Sequence, residues 1–344
     1  MNILGIETSC DETAAAVVKD GRQLLSNVVA SQIDLHAKYG GVVPEVAARS
    51  HIEQMLPVVE EALACAKLDW SGIDGIAVTA GPGLLGSLLI GTLTAKTLAE
   101  VKTKPLYAIN HVEAHVYANF LDTTSPPSFP LLALVVSGGH SQFVLFQDHL
   151  NYQVLGQTRD DAAGEAFDKI AKLLDLGFPG GPAIASAALR GDASAFAFPK
   201  AKLGHDSLDY SFSGLKTAVL RQAQELAGLD HTAPLSTLSA ELTNQQKNDL
   251  AASFQKTVVD TLVDRALYAF EKYRPESVVI AGGVAANQLL RDELKRRLPI
   301  DINYAPMQLC TDNAAMVAAL GYHYAKAGKA ISPAELVADS ALKM

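Results

Sequence analysis

Short apolar runs alternate with small polar turns along the first third of the chain. ILGIE (3–7) is followed by the polar turn TSCDET (8–13) and by a second apolar run, AAAVV, which together read as two strands joined by a turn. Asp20-Gly21 supplies a two-residue hairpin signal before a third strand, QLLSNVV. Pro44 is placed to open a helix, and Val46, Ile52, Leu56, Val59 and Leu63 trace its apolar stripe to about Lys67. IDGIAVTA (73–80) reads as a buried strand, GPGLLG (81–86) as a glycine-rich turn, and the next stretch as a helix to about Glu100. The strand PLYAIN (105–110) then delivers the chain to His111.

From Pro130 the pattern begins again. PLLALVV (130–136) is a strand, SGGHS (137–141) a glycine turn and QFVLF (142–146) a returning strand. Later, SVVIA (277–281) is a buried strand, GGVAAN (282–287) a glycine turn and QLLRDELKRR (288–297) a helix. Each half thus holds a strand–turn–strand and, further on, a strand–glycine-turn–helix. This long-range duplication predicts two α/β lobes with a ligand cleft between them, over about 1–120 and 121–344. About 157–243 is extra material in the second lobe, read as an insertion. The helix after it, about Asn244 to Tyr273, carries Leu250, Phe254, Val258, Leu262 and Phe270 at core spacing.

Composition narrows the class. Hydrophobic residues make up 49% and charged residues 19% of 344, the profile of a folded globular protein. No apolar run reaches the roughly 18–20 residues of a membrane span; Leu84 to Leu93 is broken by glycines. MNILGIETSC has no basic region ahead of its apolar residues, so a secretory signal is not expected. Cys10, Cys65 and Cys310 have no paired spacing, which fits a reducing cytoplasm. A net charge of −9 argues against nucleic-acid binding by one broad basic face; Lys295, Arg296 and Arg297 are the dense basic run.

Glycine turns are the first candidate chemistry, because bare backbone amides can cradle phosphate oxygens. Four turns qualify: Thr8-Ser9-Cys10, Gly81-Pro82-Gly83, Ser137-Gly138-Gly139 and Gly282-Gly283. Their order resembles that of the actin-like, sugar-kinase and heat-shock-chaperone ATPases, in which two hairpins hold phosphate and a late glycine turn holds adenosine. Asn287, after the last turn, either contacts a ribose or base or caps the next helix; on sequence alone capping is favoured.

The second candidate is NHVEAH (110–115). Residues four apart on a helix are about 40° apart around the axis, so His111 and His115 share a face. Glu113 is about 200° from His111, and the position a zinc protease gives its general base is Val112. The spacing admits a metal pair or two histidines on a solvated face. In LCTDNAAM, Asp312 is either a third ligand, leaving coordination positions open, or the cap of the following helix.

Taken together, GIETSCDET (5–13), NHVEAH (110–115), LVVSGGHSQ (134–142), DDAAGEAFDK (160–169), FPGGP (178–182), SFSGLKTA (211–218), GGVAANQLLR (282–291) and TDNAAM (311–316) resemble the bacterial tRNA N6-adenosine threonylcarbamoyltransferases, once called O-sialoglycoprotein endopeptidases. The resemblance runs from Gly5 to about Tyr322. It implies the two-lobed actin-like fold and transfer of threonylcarbamoyl from its adenylate to the adenosine 3′ of the anticodon, in tRNAs reading codons that begin with A. It implies metal ligands at His111, His115 and Asp312, usually for iron. Ligand type alone is also compatible with zinc or manganese. It implies donor-binding positions at Val135, Val136, Ser137, Gly138, Gly139, Asp168, Gly181 and Asn287. Many relatives have an acid where this chain has Ala185. The implied partners are tRNA, a smaller paralogue of the same fold and a small P-loop ATPase.

The reaction's chemistry adds a proton acceptor for the attacking amine, read as Asp11 with Glu12 as the alternative. Asp168 reads otherwise as an acid early in a helix ending near Gly177. Competing functions are an ATP-consuming kinase or ATPase of this fold, a metalloprotease, and a non-enzymatic regulatory subunit. The kinase leaves the histidines unexplained, and the placement of Glu113 speaks against the protease.

Overall fold

The fold is described from a computed structural model covering residues 1–344 except 202, 205 and 231–233, which fall within the expected insertion. Two five-stranded sheets organise it, each in the same strand order. In the first, the order is β3-β2-β1-β4-β5, from β1 (Asn2–Glu7), β2 (Glu12–Lys19), β3 (Gln23–Ser31), β4 (Gly75–Gly81) and β5 (Leu106–Asn110). In the second, β8-β7-β6-β9-β10 repeats it, from β6 (Leu131–Val136), β7 (Ser141–Asp148), β8 (Asn151–Gln157), β9 (Ser277–Ala281) and β10 (Ile302–Tyr304). In each, the first two strands pair antiparallel and the next neighbour joins in parallel. The duplication expected from the strand–turn pattern is therefore present in the topology.

The helices are α1 (Ile33–Ala37), α2 (Pro44–Ala66), α3 (Leu85–Lys102), α4 (His111–Tyr117), α5 (Ala163–Leu174), α6 (Gly180–Ala188), α7 (Ser213–Ala227), α8 (Leu235–Glu241), α9 (Asn244–Tyr273), α10 (Gln288–Arg297) and α11 (Ala314–Lys326). The chain forms two compact units: residues 1–128, 147–152 and 303–344 in one, residues 129–146 and 153–302 in the other. The last segment thus returns to the first unit. There α11 packs on β1, β2 and β4. Small residues make this possible: a Cβ on Gly5 would lie 2.3 Å from the Ala314 carbonyl oxygen, and one on Gly321 would lie 2.4 Å from the Ala77 Cβ. In the hairpin β1–β2–β3, Asp20 and Gly21 both take positive φ, 52° and 70°, the turn whose twist matches the strands.

The α2 stripe is rotated from the expected one. Ala47, His51, Met55, Val58, Val59, Ala62 and Leu63 are buried, whereas Ile52 and Leu56 are 61% and 59% exposed. In the second unit, α9 spans the range expected, and Leu250, Phe254, Val258, Leu262 and Phe270 all lie in the core with α5, α6 and α10. Among the described residues no helix is long and apolar enough to cross a membrane.

Candidate active site

β5 ends in Asn110, whose Oδ1 accepts from the amides of Val112 (2.9 Å) and Glu113 (3.1 Å) and so starts α4. That cap sets His111 and His115 on one face, with ring centroids 4.6 Å apart. Asp312 reaches the same place from the turn before α11. Its Oδ1 lies 3.6 Å from His111 Nε2 and 3.4 Å from His115 Nε2. The cap of α11 is Asn313, whose Oδ1 accepts from the Met316 amide at 3.1 Å. The capping alternative for Asp312 is thereby taken by its neighbour, and the carboxylate faces the histidines.

A further acid, which the sequence reading missed, holds His111 from behind. Glu7, fully buried at the end of β1, lies 2.9 Å from His111 Nδ1 and accepts from Thr79 Oγ1 at 2.7 Å and the Ser9 amide at 2.5 Å. Burial disfavours the charged ring and the charged carboxylate alike, but their attraction wins. His111 is pushed up to about 9 by Glu7 and Asp312, and Glu7 is held below the ordinary carboxylate range. The available signal was a lone acid closing an otherwise apolar strand.

These residues fit a divalent metal. His111, His115 and Asp312 each offer a ligand atom within 4.8 Å of the others. His115 is 1% exposed, and neither ring nitrogen has a hydrogen-bond partner among the described residues, an orphaned state that a ligating role resolves. Glu7 on His111 Nδ1 supplies the carboxylate that commonly fixes the tautomer of a metal-binding histidine. Glu113 points away from this face, as its position on the helix requires. It is 2% exposed, and burial pushes its carboxyl up to about 7.

Asp11 and Glu12 follow the β1–β2 turn. Asp11 is buried at 9% exposure, and its carbonyl accepts from the Gln32 amide. Burial, Asp312 and Asp11 push the Glu12 carboxyl up to about 10. Of the four glycine turns, Gly81-Pro82-Gly83 is covered. The Leu84 amide donates to the Ser9 carbonyl at 2.7 Å, and the Gly83 amide donates to the Ser340 carbonyl at 3.4 Å.

The donor-binding positions implied by the resemblance all lie in the second unit. Val135 and Val136 are buried and paired with Gln142 and Ser141 in the β6–β7 ladder. Ser137 closes the turn, its Oγ accepting from the His140 amide at 3.1 Å, while Gly138 and Gly139 are exposed with open space where a Cβ would stand. A Cβ on Gly164, opening α5, would lie 2.7 Å from the Ser137 carbonyl oxygen; a Cβ on Gly282 would lie 2.5 Å from that of Val136. Helix start, strand end and late glycine turn therefore approach one another. Gly181 is likewise open, with Ala185 one turn along α6. Asp168 accepts from the Gly180 amide at 2.7 Å, capping α6 rather than acting early in its own helix. That helix ends at Leu174, with Asp175 in the left-handed conformation, before Gly177. Asn287 caps α10 through the Leu290 amide at 3.1 Å and donates to Gln255 at 2.9 Å.

The duplicated sheets define an actin-like α/β fold, and its first unit carries a His/His/Asp group that could hold a metal. Solved structures share the fold: one is HypF of T. kodakarensis (TM-score 0.63, 15% identity, 95% of this chain and 48% of that one). The (R)-2-hydroxyglutaryl-CoA dehydratase component A of Acidaminococcus fermentans does so too (TM-score 0.53, 16% identity, 95% and 99% covered). Residues 23–319 match the family model of tRNA N6-adenosine threonylcarbamoyltransferase. Curated relatives of that name include those of Thermomicrobium roseum (51% identical, 95% of this chain and 93% of the relative) and Syntrophomonas wolfei (48%, 99% and 97%). The chain belongs to the tRNA N6-adenosine threonylcarbamoyltransferase family.

Proposed function

We propose that the chain transfers threonylcarbamoyl from threonylcarbamoyl-adenylate to N6 of the adenosine 3′ of the anticodon, in tRNAs reading codons that begin with A. The observation that carries this reading is the convergence of His111, His115 and Asp312, the positions the resemblance assigns to metal, in a chain that matches the family over residues 23–319. N6 attacks the carbamoyl carbon, the bond from that carbon to the phosphate oxygen breaks, and AMP leaves with the electron pair.

The second unit's open turn at Gly138 and Gly139 presents backbone to the donor's adenylate, with Val135, Val136 and Ser137 fixing the turn. Asp168 and Asn287 fix the helix starts that flank it, next to Gly181. Asp11 takes the N6 proton. Glu12, its carboxyl raised by burial and by Asp312 and Asp11, is the alternative acceptor. His111, His115 and Asp312 would hold one divalent metal, iron by resemblance, with zinc or manganese compatible with the ligands. When bound, the metal supplies positive charge that stabilises an anionic donor oxygen.

The basic run of α10 is partly neutralised: Arg297 pairs with Asp264 at 2.7 Å, and Arg296 with Glu293. This supports a tRNA grip shared with the smaller paralogue and the P-loop ATPase. The apolar residues exposed on α2 and α3, Ile52, Leu56, Leu85, Leu89 and Leu93, support a protein-facing surface.

The test supplies purified donor carrying radiolabelled threonine, an unmodified tRNA of this class and the candidate partners. Wild type should transfer label and His111→Ala should lose about a hundredfold or more. Omitting a partner should lower transfer. Absent transfer with ATP hydrolysis that survives His111→Ala would replace this reading with a kinase-like one.

A further inference from the structure

The turn between β1 and β2 sits beside the His/His/Asp group, since Ser9 Oγ lies 3.2 Å from His111 Nδ1. The carbonyl that follows, that of Cys10, is held from two helices of the same unit. It accepts from His51 Nε2 of α2 at 3.0 Å and from Ser87 Oγ of α3 at 3.1 Å. The His51 ring reaches further: its Nδ1 lies 2.8 Å from Thr13 Oγ1, at the start of β2. His51, Ser87 and Thr13 are all fully buried.

Chemistry fixes the direction of each bond. A carbonyl only accepts, so His51 Nε2 carries the hydrogen. Burial holds this ring below the ordinary histidine range and so leaves it neutral, and Nδ1 then accepts from the Thr13 hydroxyl. Both ring nitrogens are thereby used. A buried imidazole costs desolvation that an apolar side chain beside Ala47 and Met55 would not, so the two bonds are what this face gains from a histidine. They bracket Asp11 and Glu12, the two residues that lie between Cys10 and Thr13. The Cys10–Asp11 peptide is trans and planar, so a carbonyl fixed by two donors also fixes the plane that carries the Asp11 amide and Cα. The Gln32 amide holds the next carbonyl, that of Asp11, at 3.1 Å.

We propose that His51, seconded by Ser87, is a positioning residue for threonylcarbamoyl transfer: by tying Cys10 to Thr13 it sets the acceptor carboxylate, Asp11 or Glu12, where it meets the N6 proton. This inference rests on the transfer reaction proposed above.

The test uses the full chain with purified donor, unmodified tRNA and the candidate partners, well below the melting temperature of each variant. His51→Phe fills the ring's place and removes both bonds. Its kcat should fall about 10- to 100-fold, while KM for the donor and affinity for metal hold. His51→Gln, whose amide restores the donor to Cys10, should recover most of that loss. Ser87→Ala probes the same carbonyl with a smaller change, should His51→Phe fold poorly, and should also lower kcat alone. In the wild type, nitrogen NMR of the His51 ring should show the Nε2–H tautomer. Unchanged kcat in His51→Phe or Ser87→Ala, a loss confined to KM, no recovery in His51→Gln, or an Nδ1–H tautomer would overturn the proposal and leave wild-type transfer standing. Absent transfer by the wild type would remove the reading beneath it, and this proposal with it.

Discussion

Glu7 shows how one side chain conditions the chemistry of another. Its carboxylate touches His111 Nδ1, which leaves Nε2 turned towards Asp312. Glu7→Gln keeps the volume and the Thr79 contact but removes the charge. We expect metal affinity to fall about 10- to 100-fold in a competitive chelator titration, and the metal-free His111 ring to titrate at lower pH by NMR. An unchanged affinity would reduce Glu7 to a packing residue. The histidine pair was legible because a four-residue spacing is a property of the sequence itself. Asp312 was legible only through the resemblance, since a polar residue before a helix reads equally well as its cap. Glu7 was not legible: an acid at a strand end usually faces water, whereas this one is buried against Thr79 of β4 and His111 of α4.

At the scale of elements, capping and phase explain what was and was not foreseen. In α2, Val59 and Leu63 are buried as expected, but nearer its start the buried face uses Ala47, His51 and Met55 in place of Val46, Ile52 and Leu56. His51 is fully buried on that face, its Nδ1 2.8 Å from Thr13 Oγ1 and its Nε2 3.0 Å from the Cys10 carbonyl. Ile52 and Leu56 each follow a buried residue by one position, a rotation of about 100°. For α11, cap and ligand are adjacent residues with separable roles. Asn313→Ala should lower stability by about 1 kcal/mol through the lost cap, measured by denaturant unfolding. Asp312→Ala should abolish metal binding while changing metal-free stability far less. Equal destabilisation by both would mean Asp312 also supports the helix start.

Over the whole molecule, the duplication was legible because each half repeats a strand–turn grammar, whereas the return of residues 303–344 to the first unit was not. No local pattern says which sheet a late helix will cover. In that returning segment, His323 stacks on His149 at 3.7 Å and packs near Tyr117. Burial, with His149 adjacent, pushes His323 down to about 3. The folded ring stays neutral where the unfolded one, near 6.5, gains a proton. Stability is therefore full above about pH 6.5 and is lost as pH falls from there towards 3, by at most about 1.4 kcal/mol per pH unit and less because the ring is half-buried. Thermal melts of wild type should fall more steeply over this acid range than those of His323→Phe; parallel profiles would refute the assignment. The same return also imposes an order on biogenesis. His111 and His115 leave the ribosome early, and Asp312 follows only after the entire second unit has been made, roughly 10–40 s later at ordinary elongation rates. The nascent chain therefore spends most of its synthesis with a two-histidine half-site. A metal held by all three residues would be loaded only once the chain is almost finished.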